Sequence, residues 1–104
     1  DVKDAVRAYW TLVQKCQPGE VYNIGGKETM TVEEMLNKLI ALSTTKGIKV
    51  EVDPNRLRPS DVTLQIPNID KFKKETSWEP EIAFDKTLQD LLNYWRNYYA
   101  KNKA

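Results

Sequence analysis

Histidine is absent from this sequence of 104 residues, and cysteine occurs once, as Cys16. Those two shortages exclude the His/Cys sets that hold zinc, and the carboxylates lack the dense loop spacing of a calcium site. A lone cysteine makes no internal disulfide; it agrees with a reducing cytoplasm and reads as a small buried hydrophobe. Glycine is also scarce, with four residues, and the only adjoining pair sits in "GGKET" at 25–29. The phosphate-loop spacing G-x-x-x-x-G-K-[ST] is missing there, because glutamate follows Lys27. Neither sign of charge dominates: 16 basic side chains face 15 acidic ones, a net charge of +1. No general field for nucleic acid results, so any anion recognition must be local. No apolar run approaches the ~20 residues of a membrane span. Nor does the chain open with a basic segment and apolar middle like a signal peptide, so no membrane partner is expected.

What is present reads as one small folded unit. Hydrophobic residues make up 40% and charged residues 30%, a globular rather than disordered balance. Val2, Ala5, Val6, Tyr9, Trp10 and Val13 recur at helical spacing until "CQPGE" ends the pattern. "VYNIGG" reads as a short strand closed by glycines. Thr31 and Glu34 form a capping box before a helix whose buried face is Val32, Met35, Leu36, Leu39 and Ile40. "GIKVEV" and "VTLQI" alternate like strands. Asn68 caps a short helix with Ile69 and Phe72 inward; "WEPEI" is a loop. A long last helix carries Leu88, Leu91, Leu92, Trp95 and Tyr98 or Tyr99. Strands separated by helices favour parallel pairing, so the expectation is a helix-rich α/β single domain with a short, mainly parallel sheet of two or three strands. The opening "DVKDAVRAYW" lacks methionine and is already in a helical pattern, which leads us to expect a piece of a longer polypeptide.

Chemistry is sparse. Glu33 and Glu34 are neighbours on a helix and do not face one another; Glu79 and Glu81 flank Pro80 in a solvated turn. The aromatics Tyr9, Trp10, Tyr94, Trp95, Tyr98 and Tyr99 lack the basic stripe that base stacking would need, and read as core or interface. "DPNRLRPSDV" at 53–62 stands apart. Pro54 and Pro59 stiffen the loop, and Arg58 before proline is pushed toward extended backbone. A guanidinium held this way suits a phosphate through two parallel hydrogen bonds, with Asp61 near enough to orient it or to accept from ligand hydroxyls. The plain alternative is a surface ion pair worth ~0–1 kcal/mol.

"GEVYNIGG" before a capped helix, "VEVDPNRLRPSDV", a short helix and "SWEPEIAFDKTLQDLLNYW" come in an order that resembles the C-terminal part of extended short-chain dehydrogenase/reductases acting on nucleotide sugars. The wording of the arginine loop is most similar to the GDP-mannose branch, which includes 4,6-dehydratases and 4-keto-6-deoxymannose reductases. The resemblance implies that residues 1–104 are a nucleotide-sugar-binding domain, with Arg58 on the diphosphate, Asp61 on nucleotide hydroxyls or the loop, and Arg56 a weaker candidate. It implies that NADP or NAD is bound by an N-terminal Rossmann domain of the same parent, not by this stretch, and that the parent is a homo-oligomer whose substrate is a GDP-sugar. No G-x-x-G-x-x-G fingerprint occurs here, so the reacting groups are expected elsewhere and the isolated stretch is expected to be inactive. Departures exist: Pro67 and Asn68 replace the usual Gly-Asp or Ala-Asp pair, and Ser77 replaces glycine before Trp78. Dehydratase, reductase, epimerase and a stand-alone protein-interaction module all remain open at this point.

Overall fold

Asp1 caps the first helix, accepting the Lys3 N–H at 2.8 Å. The computed structural model describes residues 1–103. Helix α1 (Val2–Lys15) stops at extended Cys16, and Gly19 then turns the chain at φ +85°. Helix α2 (Val32–Leu42) begins at the expected capping box: Thr31 accepts from Glu34 N–H, and the Glu34 carboxylate accepts from Thr31 N–H. A single 3-10 turn spans Pro54–Arg56. Helix α3 (Asp70–Thr76) starts with Asn68 accepting the Asp70 N–H at 2.9 Å and ends at Ser77 in the left-handed region. Helix α4 (Phe84–Lys101) is the longest.

Two helix pairs result, α1 on α3 and α2 on α4. Ala8, Phe72 and Trp78 form the core of the first pair, with Leu12, Cys16, Tyr22, Ile24 and Ile69 packed around it. Phe72 is completely buried, and its ring lies 5.7 Å from Tyr22 and 5.5 Å from Trp78. In the second pair Leu88 is buried.

The expected sheet is not there. Among the described residues the only regular elements are helical. "VYNIGG", "GIKVEV" and "VTLQI" run without a ladder, and Val21, Val50, Val52, Val62, Leu64 and Ile66 stand exposed. Alternation prepares one face of a strand for burial, but a strand also needs a neighbouring edge to satisfy its N–H and C=O groups. These segments do not supply one another with that edge. The α1 stripe is likewise reversed: Val2, Val6, Tyr9, Trp10 and Val13 face solvent, whereas Asp4 and Ala8 are buried. α2 is only half-buried against α4, and no residue of it is fully enclosed.

The dimensions follow from this. The radius of gyration is 17.7 Å, against about 13 Å for a compact domain of this length. The accessible surface is 9120 Å², against roughly 6,000 Å² for a folded monomer of this mass. The exposed apolar residues of the unpaired segments and of the α1 stripe contribute to that surplus.

Candidate functional site

The arginine loop is built locally. Asp53 accepts the Asn55 N–H at 3.0 Å, which with Pro54 at the first helical position fixes the 3-10 turn. The same carboxylate stands 3.5 Å from Arg56, a residue 88% exposed in its side chain. Arg56 is thereby engaged by its own turn. Arg58 follows one residue after the turn, exposed, and no carboxylate pairs with it among the described residues. Asp61 does not reach Arg58; its carboxylate accepts the Val62 N–H at 2.8 Å. The loop therefore presents one engaged and one free guanidinium, and among the described residues no ion pair joins Asp61 to either arginine.

The concave surface lies elsewhere, around the Gly25–Glu28 turn. A cavity of about 360 Å³ is walled by Met30, Met35, Ile66, Pro67 and Phe84. Two smaller ones, of about 250 and 200 Å³, adjoin Gly26 and Pro80. None of the three is lined by Arg56, Arg58 or Asp61.

The residue that sequence reasoning missed here is Asp4. It is 4% exposed and lines the smallest cavity. Its carboxylate accepts the Glu81 N–H at 3.1 Å, the Ile82 N–H at 3.0 Å and an Arg7 N–H at 3.0 Å. Arg7 also donates to the Glu79 carbonyl and lies over the Trp78 ring, 5.5 Å from its centroid. Burial pushes the Asp4 carboxyl up, but the hydrogen bonds from Ile82, Arg7 and Glu81 outweigh it and hold the group below its ordinary value of 3.8. With its lone pairs taken, this carboxylate is a clasp between α1 and the 79–82 turn, not a general base. The signal for it was an acid at a position where the helix faces inward; the apolar stripe drew attention to the opposite face.

The Gly25–Gly26 turn does not fit a dinucleotide. A Cβ at Gly25 would stand 2.2 Å from the Pro67 ring, so the glycine is there to admit proline. Lys27 is 3.7 Å from Glu79, which Lys73 also engages. The spacing Tyr-x-x-x-Lys occurs at Tyr99 and Lys103. Tyr99 is exposed at the far end of α4 and borders none of these cavities, so the pair has no enclosed site to serve. Among the described residues no group of acids, histidine or cysteine could hold a metal ion, and no helix is long and apolar enough to cross a membrane.

Comparison with known proteins gives the context. A Pseudomonas aeruginosa GDP-6-deoxy-D-mannose reductase is 25% identical over 93% of this chain, which covers 32% of that protein. A human GDP-mannose 4,6 dehydratase is 25% identical over 88% of this chain and 29% of its own length. A human dTDP-D-glucose 4,6-dehydratase is 27% identical over 92% and 28%. The chain thus spans about a third of the length of the curated relatives it matches. The family model described as GDP-mannose 4,6 dehydratase matches residues 1–91, including the whole arginine loop, and the chain belongs to that family.

Proposed function

We propose that this chain is the substrate-binding part of a GDP-sugar enzyme, a 4,6-dehydratase in the first instance, with Arg58 gripping the nucleotide diphosphate. The observation that carries the reading is the free guanidinium of Arg58. It sits in a loop stiffened by Pro54 and Pro59, two residues after Arg56, which Asp53 has already engaged. A guanidinium without an internal partner can offer two parallel N–H donors to a pyrophosphate at little desolvation cost to the fold. Binding at the diphosphate is remote from the reacting carbon, and it serves to position the sugar. Asp61, turned onto Val62 N–H, supports the loop's exit in this reading. The hydride and proton chemistry, with NADP or NAD, belongs to a Rossmann domain of the parent, because the residues of this stretch do not fit a dinucleotide. Relatives named as reductase and as dTDP-sugar dehydratase match with similar identity, so a reductase or epimerase parent with the same grip is the nearest alternative.

Arg58→Ala in the full-length parent should raise the KM for the GDP-sugar about 10–100-fold, the loss of a charge-assisted bidentate contact. An unchanged KM would sink the assignment. A second reading, a stand-alone protein-interaction module, is favoured by the exposed aromatics of α1 and α4. Coding sequence upstream of Asp1 separates the two: a dinucleotide fingerprint there supports the enzyme, an immediate start codon the module.

A further inference from the structure

The arginine loop holds its shape from within. Residues 53–62 are all exposed, and among the described residues each hydrogen bond they make ends inside the same stretch. Asp53 stands at the centre of this local set. Its Oδ1 accepts the Asn55 N–H at 3.0 Å, while its Oδ2 lies 3.5 Å from Arg56 Nε. Its carbonyl accepts the Arg56 N–H at 3.0 Å, and the Pro54 carbonyl accepts the Leu57 N–H at 3.3 Å, which closes the 3-10 turn. Leu57 leaves that turn extended, at φ −70° and ψ 130°. Pro59 confines Arg58 to extended backbone as well. With both residues fixed, the direction in which Arg58 is presented follows from the turn, and the turn is held by its cap.

We propose that Asp53 is a positioning residue for substrate, acting through Arg58 and making no contact with the ligand itself; this role rests on reading Arg58 as the diphosphate grip. A carboxylate cannot bind a diphosphate, and its charge close by opposes one. Were Asp53 only a charge, its removal would tighten binding. As a cap, its removal loosens the turn and weakens binding, so the two roles differ in sign. The pair with Arg56 is the lesser part of the device, because both side chains are at least half exposed and such a pair contributes little. The hydrogen bond to Asn55 N–H is the greater part, and asparagine caps as well as aspartate does. Losing a cap shifts a local equilibrium about fivefold, and apparent affinity falls in proportion to the fraction of molecules in the competent shape.

Steady-state kinetics of the full-length parent test this. Asp53→Ala should raise the KM for the GDP-sugar about fivefold and change kcat less than about twofold, the split expected when uniform binding is lost. Asp53→Asn keeps an oxygen on the Asn55 N–H and should restore KM to within about twofold. Added to Arg58→Ala, Asp53→Ala should change KM less than about twofold, because the group it positions is already gone. Thermal midpoints should agree across the set, since the loop's hydrogen bonds are all its own. A KM unchanged or lowered by Asp53→Ala, beside one raised by Arg58→Ala, would overturn the positioning role and leave the grip standing. So would an Asp53→Asn enzyme as impaired as Asp53→Ala, or the same fivefold loss in both backgrounds. An unchanged KM in Arg58→Ala would remove the grip and this role together.

Discussion

Asp4 shows how much of this fold rests on single side chains. Its carboxylate ties three N–H groups, two of them from residues more than seventy positions away. Asp4→Ala strands those donors and should cost about 2–4 kcal/mol, read as a lower urea midpoint. The pH dependence has a fixed sign. The folded carboxyl is held below its ordinary 3.8, so its contribution is complete above that value and fades as pH falls through the folded value. Acid titration of stability should therefore fall off below about pH 4, and Asp4→Asn should flatten that limb. A limb of unchanged steepness in Asp4→Asn would assign acid sensitivity to other carboxylates. At the arginine loop, Arg56→Ala should raise the parent's KM far less than Arg58→Ala, because Arg56 already has Asp53. Equal effects in paired kinetics would make the loop a diffuse cationic patch.

Among the elements, α2 depends on its beginning. The capping box satisfies two N–H groups, and no residue of the helix is fully buried to compensate for losing it. Thr31→Ala should cost about 1 kcal/mol, measured by thermal or urea unfolding. The turn feeding α2 is tighter still. Gly25→Ala drives a methyl into the Pro67 ring, and a ring cannot swing aside as a lysine would. A cost of about 1–3 kcal/mol is expected, relieved in a Pro67→Ala background. Additive losses in that double variant would show that the clash is not the cause.

For the whole molecule, shape and surface govern the outcome. Folding from an extended chain hides roughly half of the accessible surface here, where a compact domain of this mass would hide nearly two-thirds. The urea m-value should accordingly be about three-quarters of that usual for the length. A full-sized m-value would mean that the chain closes further in solution.

The helices were legible because their signals are local. Thr31 and Glu34, Asn68 before α3, and the break at Pro18 and Gly19 act within a few residues of themselves. The arginine loop was legible for the same reason, as proline and Asp53 shape it without help. The sequence by itself determined where helices start and stop and that Phe72 turns inward. Only the tertiary structure decided that alternating segments would stay unpaired, that α1 buries Asp4 and Ala8 instead of its larger apolar stripe, and that Asp4 clasps the 79–82 turn. The reason is physical: caps and turns are satisfied by neighbours along the chain, whereas a strand edge or a helix face is satisfied only by a surface brought to it from far away.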